Sequence, residues 1–153
     1  METVVTLIDA IKIYKQAEVK TTGITNVSLD IMSGDFIAIT GRSGCGKSTL
    51  LNILGLMDDL SDGQYLFCGK NITRLNGKLA ADFRNREVGF VFQSFNLVNE
   101  ISILENVCMP LGYAGVSKQE RKKRAKEMLQ LVGLEDRINI RPIHLSGGEQ
   151  QRV

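Results

Sequence analysis

The sequence lacks several features that would assign the chain to a specialised class of protein. It has no apolar run of about 18 residues and no N-terminal secretion signal, so neither a membrane span nor export is expected. Three cysteines (Cys45, Cys68 and Cys108) form no even set and have no metal-ligand spacing, which favours a reducing cytoplasm over a disulfide framework. The net charge is only +2, without a basic tail, so no nucleic-acid partner is expected.

What remains is the composition of an ordinary globular domain. The chain has 153 residues, of which 43% are apolar and 24% charged, enough for one domain with a sizeable core. Period-2 and helical patterns predict its elements. In chain order these are strands at 3–9, 27–32 and 36–40, a helix at 47–57, a hairpin at 64–73 turning at 68–70, a short helix at 78–86 and a buried strand at 88–92. Gly34–Asp35 is the predicted hairpin turn before 36–40.

The last third of the chain is predicted to be helical. Ser102–Glu105 and Ser117–Glu120 both match the capping-box pattern at the start of a helix. The second of these helices should run to about Val132 and end at Gly133, a residue type that often follows a helix. The basic run Arg121–Arg124 could dock an acidic lipid or protein, but a solvated helix face is the better interpretation.

A glycine-rich segment carries the first chemical signal. Gly41–Ser48, GRSGCGKS, fits the pattern G-x-x-x-x-G-K-[ST], preceded by an apolar segment and followed by a predicted helix. Glycines let backbone N–H groups wrap a phosphate, Lys47 supplies a cation for the β- and γ-phosphates, and Ser48 supplies a hydroxyl ligand for Mg²⁺. The segment therefore predicts a nucleoside triphosphate site. Its candidate residues are Gly41, Arg42, Ser43, Gly44, Cys45, Gly46, Lys47, Ser48 and Thr49.

A second anion site is predicted at the C-terminal LSGGEQQRV. Ser146 fits a helix N-cap and Glu149 fits the reciprocal partner of a capping box. The first turn of a helix carries free N–H groups and a partial positive charge, which favour an anion. Gly147 and Gly148 leave that backbone uncovered.

With both motifs in this order, the chain resembles the nucleotide-binding domain of the ATP-binding cassette (ABC) family. The resemblance covers all 153 residues. It implies an α/β P-loop NTPase core with an N-terminal antiparallel β subdomain and a helical subdomain, the C-terminal part of the core being absent. It places the β subdomain and the P-loop part of the core in 1–93 and the helical subdomain in 94–153. In the implied parallel sheet, segments 36–40 and 88–92 are not neighbours.

The resemblance also implies roles for individual residues. Tyr14 corresponds to an aromatic residue that stacks on adenine, and Gln93 to a glutamine that reaches Mg²⁺ and the attacking water. Lys47 and Gln93 would be the catalytic residues, with Ser48 and Gln93 on the metal. The segment Ser146–Glu149 would contact the γ-phosphate of ATP held by a second copy, in a head-to-tail dimer around two ATP molecules.

Further matches point to one branch of the family, which serves lipoprotein release, macrolide export and antimicrobial-peptide resistance. The segments that carry this similarity are Asn52–Leu56, Arg84–Arg86, Gly89–Leu97 and Met109–Val116. The implied partner is an integral membrane permease. The implied location is the cytoplasm, peripheral on the inner face of the plasma membrane.

Three alternatives have their own discriminating features. A soluble ABC protein of DNA repair, chromosome structure or translation commonly carries an inserted coiled coil or zinc module, and the roughly fifty residues after Gln93 hold none. A cell-division relative with a membrane partner stays open. A small-molecule P-loop kinase leaves LSGGEQ unexplained.

Part of the family's catalytic apparatus does not occur in these residues. The Walker B aspartate, its neighbouring glutamate and the switch histidine follow the signature motif in the family, and His144 is interpreted as a loop residue. We therefore expect an N-terminal portion of a longer ATPase that does not turn over by itself.

Overall fold

The computed structural model describes residues 2–153, which divide into two compact units, one ending at Arg84 and one running from Asn85 to Val153. The strands are β1 (Thr3–Gln16), β2 (Val19–Met32), β3 (Asp62–Phe67) and β4 (Lys70–Asn71). The helices are α1 (Lys47–Leu54), α2 (Gly77–Glu87), α3 (Ile103–Tyr113), α4 (Lys118–Leu131) and α5 (Gly147–Arg152). The predicted subdomain boundary after residue 93 stays a prediction.

The first unit is built on an antiparallel sheet with the strand order β2-β1-β3-β4. Strands β1 and β2 have 14 residues each, with Thr3 paired to Met32 and Gln16 to Val19. The predicted strands at 3–9 and 27–32 are thus confirmed but were too short. Register shifts follow Leu7 and Ala10, and such bulges break the period-2 pattern from which a strand is recognised.

The predicted hairpin at 64–73 is confirmed as β3 and β4. Cys68 and Gly69 have φ values of 46° and 73°, and positive values at both positions of a two-residue turn match the twist of the flanking strands. Phe67 pairs with Lys70 across this turn.

The core of the first unit lies between the sheet and α1. Leu7 and Ile53 are each 1% exposed and Tyr65 is 3% exposed. The Tyr65 hydroxyl donates a hydrogen bond to the carbonyl oxygen of Leu54 at 2.8 Å, and burial raises the pKa of Tyr65 to about 12. The sheet therefore fixes the C-terminal end of α1, and with it the direction of the helix that starts at the P-loop.

Two predicted strands and one helix end are wrong in the structure. Segments 36–40 and 88–92 pair with no strand within residues 2–153, so Gly34–Asp35 closes no hairpin. A strand needs a hydrogen-bonded neighbour, and apolar sequence alone does not supply one. Helix α1 ends at Leu54 and not at residue 57, because Gly55 caps it and Leu56 turns to a φ of 53°.

The second unit is helical, as predicted. Ile103, Leu129 and Leu134 are at most 1% exposed and form its core with neighbouring apolar residues. Single 3₁₀ turns at Glu135–Arg137 and Pro142–His144 lead into α5. Within residues 2–153, no helix combines the length and the apolar character needed to cross a bilayer.

The predicted helix ends of this unit are confirmed with one exception. The Ser102–Glu105 capping box is complete, and Gly133 follows α4 with a φ of 67°. Ser117 accepts a hydrogen bond from the Glu120 backbone, but the Glu120 carboxylate binds Arg124 at 2.6 Å in place of closing the box. An i,i+4 cation thus competes with the cap for the carboxylate.

Candidate functional site

The glycine-rich loop has a backbone that only glycines adopt with ease. Gly44 has a φ of 79°, and Gly46, the N-cap of α1, has a φ of 95°. A Cβ added at Gly46 would lie 2.2 Å from the carbonyl oxygen of Gly23 in β2. The loop therefore rests directly on β2, and the spacing of its glycines is required by conformation and by contact.

The Lys47 side chain lies across this loop. Its ammonium group donates to the carbonyl oxygens of Gly41 at 2.9 Å and Arg42 at 2.8 Å. The Cys45 sulfur is 3.9 Å from the same nitrogen. The half-buried lysine is thus held by the loop that precedes its own helix, and its charge lies among the backbone groups of that glycine-rich loop.

A cavity of about 440 Å³ opens beside the loop. It is lined by Tyr14, Thr21, Thr22, Gly23, Ser43, Gly44, Gly46, Lys47, Ser48 and Thr49. The structure thus brings Tyr14 together with most of the predicted P-loop residues. Gly41 and Arg42 adjoin this group through Lys47.

Sequence reasoning missed the three cavity residues 21–23. They lie in the part of β2 that the strand prediction omitted, and Thr21 pairs with Tyr14 in the hairpin. Extending the two predicted strands, 3–9 and 27–32, towards each other until they met in a turn would have placed them beside Tyr14.

Tyr14 itself is held by Asp58 and Lys12, neither of which any sequence pattern indicated. Its hydroxyl donates to Asp58 Oδ2 at 2.8 Å, and it lies 3.5 Å from Thr49 Oγ1. Lys12 forms an ion pair with Asp58, and the Lys12 nitrogen lies 5.1 Å from the centre of the Tyr14 ring. Burial raises the pKa of Asp58, but hydrogen bonds from Lys12, Tyr14 and the Asp59 backbone together hold it below its usual value.

Gln93 and the signature segment both lie in the second unit. Gln93 is exposed at a bend. The residues that flank it approach α5: the Phe92 carbonyl accepts a hydrogen bond from Gln151 Nε2 at 3.5 Å, and a Cβ at Gly147 would lie 3.5 Å from the Phe95 ring. The structure thus brings the segment around Gln93 next to the start of α5.

The predicted capping box at the start of α5 is confirmed. Glu149 Oε2 accepts from the Ser146 backbone N–H and hydroxyl, both at 2.8 Å, and the Glu149 backbone donates to Ser146 Oγ at 3.3 Å. The bonds from the Ser146 backbone and hydroxyl hold the pKa of Glu149 below its usual value, assisted by the charges of Arg137 and Arg152. The carboxylate is therefore committed to the cap, and Gly147 and Gly148 stay exposed.

Comparison with known proteins gives consistent relatives. The family model described as ABC transporter matches residues 24–153. An uncharacterized ABC transporter ATP-binding protein of Thermotoga maritima is 50% identical over 153 residues, which are 100% of this chain and 65% of that protein. A macrolide export ATP-binding/permease protein, MacB, of Syntrophobacter fumaroxidans is 45% identical over 147 residues, 95% of this chain and 21% of that protein.

The fold has a matching solved structure. A dimeric, post-hydrolysis state of the ATP-binding cassette MJ0796, bound to ADP and Pi, superposes with a TM-score of 0.87 at 40% identity, over 97% of this chain and 66% of that one. The chain thus spans about two thirds of the length of this cassette and of the Thermotoga protein. With a family model that matches residues 24–153, most of its length, the chain belongs to the ABC transporter family.

Proposed function

We propose that this chain is the ATP-binding part of an ABC transporter, in which ATP binding and hydrolysis drive a membrane permease of the export or lipoprotein-release type. One observation carries the proposal: Tyr14 and the P-loop residues around Lys47 line a single cavity of about 440 Å³. A planar aromatic side chain beside a cationic, glycine-lined loop suits a ligand with a base at one end and phosphates at the other.

The residues present fit ATP and Mg²⁺. The loop backbone is uncovered at Gly44, where a side chain would be strained and no atom lies within 4 Å of an added Cβ. Lys47 would neutralise the β- and γ-phosphates, and the exposed Ser48 hydroxyl would bind Mg²⁺. Gly41, Arg42, Ser43, Cys45 and Thr49 complete the loop. When bound, the metal would supply charge neutralisation to the transferred phosphoryl group.

The second unit would contact the ATP that is bound to a second copy of the chain. We assign Gln93 to orienting water and Mg²⁺, and Ser146–Glu149 to the γ-phosphate of ATP on the partner's P-loop. The dimeric state of the cassette that this chain resembles supports pairing with a second copy, which we propose to be head-to-tail. The committed Glu149 carboxylate supports the assignment further, because it stiffens the turn that presents the Gly147 and Gly148 backbone.

The permease partner is proposed from the relatives. The MacB proteins carry both an ATP-binding and a permease function in their names, and their sequences are similar to nearly all of this chain. This chain would supply the ATP-binding function, on the inner face of the plasma membrane.

The test is to purify the tagged full-length gene product from detergent-solubilised membranes of its own host. We expect an integral membrane permease in stoichiometric amount and phosphate release that requires MgATP. A matched preparation carrying Lys47→Ala should retain the permease and lose phosphate release. Recovery of soluble repair or translation factors, without a permease, would support the soluble ABC alternative and contradict the proposal.

A further inference from the structure

The ring of Tyr14 is fixed on three sides by its own unit. Its hydroxyl is bonded to Asp58, and the ammonium group of Lys12 lies over one face of the ring, 5.1 Å from its centre. A Cβ added at Gly23 would lie 2.9 Å from Tyr14 Cε2, so the backbone of β2 also confines the ring. A phenol held in this way has one orientation, although its residue is 39% exposed.

The Lys12–Asp58 pair that supports the ring is itself held in place. Lys12 donates to the Asp58 carboxylate and to the carbonyl oxygen of Asp59, the latter at 2.7 Å. The side chains of Lys12 and Asp58 are 13% and 25% exposed, so both charges are largely shielded from water and depend on each other. Pairs of this kind keep a fixed geometry better than fully exposed ones.

Neither charged residue belongs to the cavity. Tyr14 and Thr49 line it, whereas Lys12 and Asp58 do not. The ammonium group covers one face of the ring, and Tyr14 lines the cavity, so a ligand reaches the ring from the cavity. Both Lys12 and Asp58 contact the cavity residue Tyr14, so we expect their effect on a ligand to pass through that ring.

We infer that Lys12 and Asp58 are positioning residues for nucleotide binding, which hold the Tyr14 ring so that it receives the base of the nucleotide from the cavity. The cation on one face also complements the ring's negative quadrupole. Fixing the ring in advance removes the cost of ordering it when the base stacks. The inference rests on the proposed function.

The experiment separates base binding from phosphate binding in the full-length gene product. Isothermal titration measures the Kd of ATP and of inorganic triphosphate, which has no base. Tyr14→Ala should weaken ATP about tenfold by removing the stacking surface. Asp58→Ala and Tyr14→Phe should each weaken ATP about threefold or more, and none of the three should change the Kd of triphosphate.

Tyr14→Phe makes the test decisive because it keeps the ring and the Lys12–Asp58 pair and removes only the hydroxyl. Lys15→Met, at an exposed lysine of the same strand, is the control and should change neither Kd. Adding Asp58→Ala to Tyr14→Ala should weaken ATP no further, since Asp58 acts through the ring.

Each contrary result has its own meaning. Unchanged ATP affinity in both Tyr14→Phe and Asp58→Ala would overturn the inference, as would equal losses for ATP and triphosphate, which indicate a general effect on the loop. A wild-type protein that binds triphosphate as tightly as ATP would overturn it and leave the P-loop assignment standing. A wild-type protein that binds neither would overturn the proposed function and the inference with it.

Discussion

The ammonium group of Lys47 lies 2.9 Å from the carbonyl oxygen of Gly41, the residue at which the glycine-rich motif begins. The first and the penultimate residues of the motif are thereby joined by a charged hydrogen bond. This bond and the one to Arg42 keep the cation inside the loop, where a phosphate chain can take over from the carbonyl oxygens as its partner.

Lys47→Ala should abolish most ATP turnover in the full-length protein and leave the fold intact. The side chain makes its bonds within an exposed loop and contributes nothing to the buried core, so circular dichroism and melting should change little. Turnover should fall by about a hundredfold or more, as for other removed charge-stabilising groups. Lys78→Ala, at an exposed lysine of α2, is the control. Phosphate release near the wild-type rate would refute the role of Lys47.

The alkylation rate of Cys45 should show whether nucleotide occupies the loop. Its exposed sulfur lies 3.9 Å from the Lys47 nitrogen, so bound nucleotide should cover it. MgATP should slow alkylation of Cys45 in the full-length protein, and alkylated protein should no longer bind ATP. Cys68, exposed in the turn between β3 and β4, is an internal control whose labelling should not respond. Equal Cys45 labelling rates with and without saturating MgATP would count against the site.

Substitutions at two glycines of the loop distinguish the cost of a strained backbone from the cost of a steric clash. Gly44→Ala should reduce the free energy of unfolding by about 1–2 kcal/mol, because its positive φ is strained but nothing lies within 4 Å of the new Cβ. Gly46→Ala adds a contact of 2.2 Å with the Gly23 carbonyl and should cost about 3 kcal/mol or more. Urea unfolding of both variants checks the difference. Equal losses would mean that the contact with β2 is not maintained in solution.

The Ser102–Glu105 box should make stability depend on pH. Bonds from the Ser102 backbone N–H and hydroxyl lower the pKa of Glu105 below its usual value. A lowered folded pKa means that the contribution to stability is complete above the unfolded value and is lost as pH falls through the folded one. Ser102→Ala should flatten this dependence in urea unfolding measured from about pH 6 to pH 3. Ser117→Ala, whose hydroxyl does not bind a carboxylate, should not; an identical flattening in both would contradict the assignment.

A polypeptide of residues 1–153 expressed by itself should be neither a stable monomer nor an ATPase. Phe36 is 98% exposed and Val91 is 82% exposed, each within a segment that pairs with no strand of residues 2–153. Unpaired apolar segments of this kind favour association between chains. Light scattering and a thermal melt check the expectation, with the full-length product as the control. A monomer that melts cooperatively above about 45 °C, or Lys47-dependent phosphate release, would contradict it.

Local signals were sufficient for one of the two predicted hairpin turns and for most helix ends of the second unit. The turn at Cys68–Gly69, the box at Ser102 and the stop at Gly133 are each fixed by a few neighbouring residues, and each was predictable. The capping box at Ser117 forms only in part, because the Glu120 carboxylate binds Arg124 and the capping-box pattern takes no account of that ion pair.

Long-range pairing was not available from pattern alone. The apolar residues of 36–40 suit a strand, yet a strand exists only where a neighbour supplies hydrogen bonds. The P-loop was recognisable as a local motif. The support of Tyr14 by Asp58 was not, because it joins β1 to the segment after α1 and depends on how the sheet and helix pack.

The long β1–β2 hairpin also determines an order of folding. All its pairs close between Thr3 and Met32, and the innermost joins Gln16 to Val19, so the entropy of loop closure is small at every step. These residues are synthesised before Lys47 and before β3, whose Phe67 pairs with Val5. We therefore expect the hairpin to be the first native structure on the growing chain. It would then template the register of β3, and the surface on which Gly46 rests would exist before the P-loop is made.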